Sequence, residues 1–411
     1  MNYTVVRNKT YDYTGQSYAS VYPNLHKYPA TMLPQLGIDV LKEFAITKGA
    51  LLDPYCGSGS SFMCGIECGL TTMAGFDINP LAALISKVKY TRLSLDEIEH
   101  VKHILQHTLV EFLNDEKRLH TIRIPTVTNI DFWFSKDVIN KLAVLKQGID
   151  AIENADIRNF FLLPFSETVR DCSYTRNGEF KLYRMKDEDA VNFNPDVISV
   201  YFKYVNDIAS YYQTFYLPRL KKPLLIRIRN EAFQPKAETY DVVLTSPPYG
   251  DSRTTVAYGQ FSTLSNEWLG IQYARKIDSM LMGGAKTSGI IPTGVIADYI
   301  YEIYRADKKR SLEVSSFYTD LGLSIQDVAK SVKKGGKILY IVGNRTVKNI
   351  QLPTDQFIAE QFEEHGFKHI ITYKRALSNK SMPSKNSPTN KAGKTVQTML
   401  YEYIVACEKV V

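Results

Sequence analysis

Two runs of this chain bring together residue types whose spacing can do chemistry. The first is Leu244-Thr245-Ser246-Pro247-Pro248-Tyr249, which follows an apolar, strand-like stretch at 240–244. Consecutive prolines stiffen the turn and remove amide donors, so the neighbouring carbonyls point outward as acceptors. A serine oxygen, a proline carbonyl and an aromatic ring then form a compact site for a flat base bearing an amino group. Ser246 and the Pro247 carbonyl accept the two amine hydrogens, Pro248 fixes the turn, and Tyr249 stacks on the face of the base. A plain proline-rich turn is the competing reading.

The second run is Asp53-Pro54-Tyr55-Cys56-Gly57-Ser58-Gly59-Ser60, between a short buried strand at 50–52 and a helix predicted over 62–68. Glycines there permit a tight turn and close approach of backbone to a ligand. An acid, Asp77, ends the next strand at 72–76, within Gly75-Phe76-Asp77-Ile78-Asn79-Pro80. In an open parallel sheet ligands bind outside the carboxyl ends of the strands, and a carboxylate in that place can accept both hydroxyl protons of a ribose.

The elements that must position these runs alternate along the chain. Further strands are predicted at 224–229, 240–244, 337–342, 369–373 and 399–407, and a helix at 34–44, after a Tyr- and Pro-rich N-terminal stretch. Strands alternating with helices predict an α/β fold, a doubly wound parallel sheet covered on both faces. Residues 91–222 break the rhythm with helical spacing at 95–113, 136–153, 157–170 and 195–215. They read as a mostly helical insertion within a catalytic domain formed by 1–90 and 223–411. A second insertion candidate runs from 251 to about 310. The Gly335-Gly336 pair reads as a structural turn into the strand at 337–342.

At this point the chain resembles the amino-methyltransferases that act on DNA. Asp-Pro-Tyr-Cys-Gly-Ser-Gly is similar to their first motif, and the Asp77 segment to their second. Ser-Pro-Pro-Tyr resembles their catalytic signature. The resemblance implies a Rossmann-like class I methyltransferase sheet of seven strands, the last antiparallel, and S-adenosylmethionine as cofactor. It implies that Gly57 and Gly59 approach that cofactor, that Asp53 faces its amino-acid end and that Asp77 holds its ribose, with Tyr55, Ile78 and Thr245 in the same runs. Upstream, His26-Lys27-Tyr28-Pro29-Ala30 is similar to a motif that closes over the methionine part, and so implicates Tyr28. Where the family carries an acid for the adenine amine, this chain has Asn230, whose carbonyl can accept the same bond.

The methyl passes by in-line displacement, so positioning supplies much of the rate, and the target base must leave the duplex. Within the family the serine form is commonest among N4-cytosine enzymes, which favours cytosine N4 over adenine N6. Cytosine C5 chemistry needs a cysteine nucleophile, usually after a proline, and the chain has no Pro-Cys pair. The order of motifs is similar to that of members whose target-recognition segment lies between cofactor and catalytic motifs. Readout is therefore expected in 91–222, with Ser173, Arg176 and Lys181 as contacts. An RNA base methyltransferase and a catalytically silent nucleic-acid binder are the alternatives.

Bulk properties agree with a soluble globular enzyme. The chain has 411 residues, 44% hydrophobic and 23% charged. No apolar run approaches the ~20 residues of a membrane helix. Residues 1–7 carry no apolar signal core, so a cytoplasmic location is expected. Five irregularly spaced cysteines suggest reduced thiols, and no Cys or His cluster completes a metal site. The net charge of +7 is matched by one stretch: seven Lys or Arg and no Asp or Glu lie between Gly366 and Tyr401. In the family's fold the last two strands form a hairpin at the sheet edge, and their loop emerges beside Tyr249. That loop, with Lys380, Lys385 and Lys391, is expected to meet the backbone of double-stranded DNA, as is Arg253. No nuclease site is visible, so the expected enzyme is a stand-alone modification methylase. A cognate restriction endonuclease would be its counterpart.

Overall fold

Short apolar runs bounded by turn residues build one mixed sheet of eight strands. The computed structural model describes residues 3–411 except 17–20, 30, 114, 116–120, 177, 179, 252–255, 286–288, 290, 378–384, 387–395 and 398. The strands are β1 (Val5–Arg7), β2 (Ala50–Asp53), β3 (Thr72–Phe76), β4 (Leu225–Arg229), β5 (Tyr240–Thr245), β6 (Val332–Gly343), β7 (Phe367–Ala376) and β8 (Tyr401–Lys409). Their spatial order is β1-β7-β8-β6-β5-β2-β3-β4. Only β8 runs antiparallel, paired with both β6 and β7. This is the Rossmann-like methyltransferase arrangement, with two corrections to the sequence expectation. An eighth strand is present, because Val5–Arg7 pairs in parallel with β7. It covers backbone groups that would otherwise form an open edge. For the same reason the β7–β8 hairpin does not form the edge of the sheet.

Alternation along the strands sorts side chains between two cores. Leu51, Val242, Leu244, Leu339, Ile341 and Ile404 join one hydrophobic cluster. Leu52, Val243, Ile338, Tyr340, Val342 and Val405 join the other. The principal helices are α1 (Pro34–Glu43), α2 (Ser60–Glu67), α3 (Pro80–Tyr90), α4 (Leu95–Leu113), α5 (Lys136–Asp150), α6 (Ala155–Asp171), α7 (Val197–Tyr211), α8 (Tyr258–Trp268), α9 (Lys308–Ser331) and α10 (Thr354–Glu364). Several begin where a side chain caps the first turn: Asn79 for α3, Asn154 for α6, Asp196 for α7 and Asp307 for α9.

Helices α4 to α7 share the first cluster with α1, α2 and α3. The helical segment is therefore continuous with the core that α1, α2 and α3 build on that face of the sheet. Helix α9, which leads into β6, supplies Phe317, Tyr318, Leu321 and Ile325 to the second cluster. Among the described residues no helix is long and apolar enough to cross a membrane.

Candidate active site

The carboxyl ends of β2, β3, β4 and β5 meet at one rim, and each delivers a loop to it. The loop after β2 turns at Gly57 (φ +50°) and Gly59 (φ +81°). The two glycines serve different needs. A Cβ on Gly57 would meet nothing within 4 Å, whereas one on Gly59 would lie 2.8 Å from both Ser86 Oγ and Tyr90 Cε2. Gly57 therefore leaves the cavity open, and Gly59 lets α3 pack closely.

One face of α3 holds this loop by three successive carbonyls. Ser86 donates to Gly57 O at 2.7 Å, Lys89 to Ser58 O at 2.9 Å and Tyr90 to Gly59 O at 2.5 Å. Residues 86, 89 and 90 share a face because of the helical i, i+3, i+4 spacing. From the other side Asp77 Oδ2 accepts the Gly57 N–H at 2.9 Å, and Oδ1 accepts the Asn79 N–H at 2.8 Å. Burial pushes the Lys89 ammonium down to about 7.

Beside this loop lies a cavity of about 650 Å³. Tyr28, Asp53, Tyr55, Gly57, Asp77 and Ile78, all singled out in the sequence, line it. So do Ser246 and Pro248 from the catalytic run, which puts both motifs in one chamber. Among the described residues five carboxylates line it (Asp53, Asp77, Glu231, Asp320 and Asp327), and no described lining residue is Lys, Arg or His. Burial raises both Asp53 and Asp77 to about 6, against the lowering effect of their hydrogen bonds. Asp53 accepts from Thr245 Oγ1 at 2.6 Å, Ser61 Oγ at 2.5 Å and the Tyr55 N–H at 3.1 Å. Thr245, fully buried, thus positions Asp53 and does not line the cavity.

Asn230 braces the loop after β3. Its amide nitrogen donates to the carbonyls of Asp77 and Ile78, each at 2.9 Å, and its oxygen accepts from Tyr273 at 3.4 Å. The lining residues after β4 are instead Glu231, Ala232, Phe233 and Gln234. Glu231 is the next residue along, and an acid after a strand end was the available signal. Asp320, Ser324 and Asp327, four and three apart on α9, were missed because no motif surrounds them.

Tyr28 stacks on Tyr258 with ring centroids 5.9 Å apart, and its hydroxyl accepts from Asn79 Nδ2 at 3.1 Å. The preceding residues tie this segment to α6: the Lys27 N–H donates to the buried Glu167, and Lys27 Nζ pairs with Asp171 at 2.9 Å.

The loop after β5 is held differently. Ser246 Oγ donates to the Tyr249 hydroxyl at 3.3 Å, which donates to Glu402 Oε1 on β8 at 3.1 Å. Glu402 Oε2 receives Arg375 Nε at 2.8 Å and Nη2 at 2.7 Å. Beyond the tyrosine, Asp251 is 1% exposed and accepts from Arg310 at 3.0 Å and Arg345 at 3.1 Å. The Arg345 guanidinium occupies the space beside Gly250, where a Cβ would fall 1.8 Å from Nη1.

No family model matches the chain. It is 38% identical over 410 residues to the type II methyltransferase M.MvaI of Kocuria varians, covering 92% of this chain and 89% of that one. The chain belongs to the type II methyltransferases. A shorter match, 28% over 93 residues, joins it to the type II methyltransferase M.MjaII of Methanocaldococcus jannaschii, covering 23% of this chain and 16% of that one. Among solved structures, a putative DNA modification methylase of Thermus thermophilus complexed with S-adenosylmethionine aligns at TM-score 0.18 and 20% identity, covering 24% of this chain and 39% of that one. The rRNA methyltransferase aviRa of Streptomyces viridochromogenes aligns at TM-score 0.33 and 11% identity, covering 95% and 93%.

As a type II DNA methyltransferase the chain takes S-adenosylmethionine as methyl donor. The donor's sulfonium and ammonium charges fit a chamber lined by Asp53, Asp77, Glu231, Asp320 and Asp327. The open space at Gly57 admits a ligand against the backbone.

The residues expected to meet DNA fare unequally. Ser173, expected from the sequence as a contact, is fully buried, its hydroxyl spent on Arg170 O at 2.7 Å and Thr175 Oγ1 at 2.8 Å, so it cannot reach a base. Arg176 is exposed and Lys181 half-buried, on a short turn closed by the Thr175–Arg184 bridge. Arg253, Lys380 and Lys391 lie outside the described residues. At Lys385 only the backbone is described, paired with Gln397 in a two-residue ladder.

Proposed function

We propose that this methyltransferase transfers a methyl group from S-adenosylmethionine to the exocyclic N4 of a cytosine rotated out of double-stranded DNA. The observation that carries the reading is that Ser246 and Pro248 line the same chamber as Asp53, Gly57 and Asp77. Donor and acceptor then share one enclosed space. When bound, the cofactor supplies a methyl on a positively charged sulfur, open to in-line attack by a nitrogen lone pair.

This chain's part is orientation. Ser246 Oγ and the Pro247 carbonyl accept the two amine hydrogens and draw the lone pair out of ring conjugation. Pro247 and Pro248 keep those acceptors fixed, because neither ring can swing or donate. Tyr249 stacks on the base and holds its plane. No strong base is needed, since the nitrogen becomes acidic only once it carries the methyl. Asp77, through the Gly57 N–H, fixes the loop on which the donor lies. Serine at the head of the motif supports cytosine over adenine.

Arg253, Lys380, Lys385 and Lys391 are proposed to meet the phosphate backbone, and the helical segment 91–222, with Arg176 and Lys181, to read the site. The reading places the enzyme in the cytoplasm, with a cognate restriction endonuclease as its functional counterpart.

Mass spectrometry of nucleosides from DNA of cells expressing the chain, beside its Tyr249→Ala variant, tests this. N4-methylcytosine lost in the variant is the expected result. N6-methyladenine would overturn the choice of base, and no new mark in DNA would contradict the reading as a whole.

A further inference from the structure

The catalytic run does not stand alone on its loop. Ser246, Tyr249, Glu402 and Arg375 form an unbroken chain of hydrogen bonds from the chamber to the β7–β8 hairpin. Glu402 and Arg375 are directly opposed across the two strands, and their side chains are 14% and 7% exposed. Arg375 is in turn fixed by donating Nη1 to the Tyr11 carbonyl at 2.8 Å. Both guanidinium bonds from Arg375 to the carboxylate fall on Oε2, which leaves Oε1 to the tyrosine.

The direction of this chain follows from its end. A carboxylate held by a guanidinium only accepts, so the Tyr249 hydroxyl must donate to it. The tyrosine oxygen is then free to accept, and Ser246 donates there. With its single proton committed to Tyr249, Ser246 can meet a target base only through its lone pairs. A serine without that constraint can rotate and donate instead, and a donor facing an amino group repels it.

From this geometry we infer that Glu402, backed by Arg375, is a positioning residue that fixes the polarity of Ser246 through Tyr249 and so makes the site an acceptor for an amine. Two functions then fall to Tyr249: its ring stacks and its hydroxyl relays. Neither Glu402 nor Arg375 touches the base. The inference rests on the reading of Ser246 to Tyr249 as the place where the target amine binds.

The test uses the full chain, unmethylated plasmid DNA and radiolabelled S-adenosylmethionine, with single-turnover rates at saturating cofactor. Tyr249→Phe keeps the ring and removes the relay, and Glu402→Gln keeps the shape and removes the charge. Each is expected to slow transfer about tenfold or more while cofactor affinity, measured by calorimetry, stays within about twofold. Because both break one chain, the double variant is expected to be no slower than the slower single variant. Multiplying effects in the double variant, or a wild-type rate for Tyr249→Phe, would overturn the relay. Tyr249→Phe decides by itself if Glu402→Gln fails to fold, since it leaves the Glu402–Arg375 pair intact. Ser246→Ala separates the two levels of the account. A wild-type rate there sinks the site reading itself, whereas a slow Ser246→Ala beside a normal Tyr249→Phe sinks only the relay.

Discussion

The loops after β2 and β5 lie at the same rim and line the same chamber, yet they are held by opposite means. The glycine loop is gripped through its backbone: Ser86, Lys89 and Tyr90 take three consecutive carbonyls, and Asp77 takes an amide. The catalytic loop has Pro247 and Pro248 at its centre and few amides to offer, so side chains hold it. Ser246 and Tyr249 lean on Glu402, while Asp251 is locked between Arg310 and Arg345. A backbone grip keeps a ligand-binding surface in shape while leaving its open face for the ligand. A side-chain grip aims particular atoms, which is what a transfer step requires. Damage to the first should therefore appear in cofactor affinity, and damage to the second in the transfer rate.

The largest effect is expected from Gly250→Ala. The new Cβ, 1.8 Å from Arg345 Nη1, must drive out a buried guanidinium and break its pair with Asp251. Breaking a buried pair costs about 3–5 kcal/mol. Thermal unfolding should show a fall of that order, and the folded fraction should transfer methyl at less than about one hundredth of the normal rate. Asp77→Asn comes next. It removes a charged acceptor from the Gly57 N–H, an interaction of about 1.5–3 kcal/mol. Calorimetry should find cofactor affinity about 10- to 100-fold weaker, with the rate at saturation nearly unchanged.

A pH series sharpens the same contrast. Without ligand, Asp53 and Asp77 lose their protons only near pH 6, against 3.8 for an ordinary carboxylate. Between about pH 4 and 6 the unfolded chain therefore releases these protons before the native protein does. The native state loses stability as pH rises through that window, and the loss is complete above it. Wild type compared with Asp77→Asn should show this decline in thermal unfolding of the ligand-free protein. Cofactor affinity runs the other way, because a cationic ligand favours the ionised carboxylates. It should be about tenfold weaker per group at pH 5 than at pH 7, and level above pH 7.

The same contrast explains what the sequence made legible. Asp53, Gly57, Asp77 and the Ser246–Tyr249 run sit in contiguous motifs at strand ends, where residue type and local position together state the chemistry. The residues that hold them do not. Ser86, Lys89 and Tyr90 look like ordinary positions of a helix, and Glu402 and Arg375 lie 27 residues apart on strands whose register no local pattern sets. Asn230 was matched to an acid's place, yet its amide braces the Asp77 loop, and Glu231 beside it faces the chamber. Ser173 looked polar and accessible, but the C-terminal turn of α6 turns it inward. The alternation of strands with helices into a largely parallel sheet was readable from the apolar runs. The pairing of Val5–Arg7 with β7 was not, because three residues carry no measurable period.

The most direct test sets Tyr90→Phe beside Ser246→Ala and measures two quantities for each: the dissociation constant of S-adenosylmethionine and the single-turnover rate of methyl transfer at saturation. Tyr90→Phe loses one hydrogen bond to the glycine loop, about 1 kcal/mol, and should weaken binding about fivefold with a normal rate. Ser246→Ala should bind the cofactor normally and transfer at least about a hundredfold more slowly. A Tyr90→Phe enzyme slow at saturating cofactor, or a Ser246→Ala enzyme that transfers at the normal rate, would contradict the division of labour between the two loops.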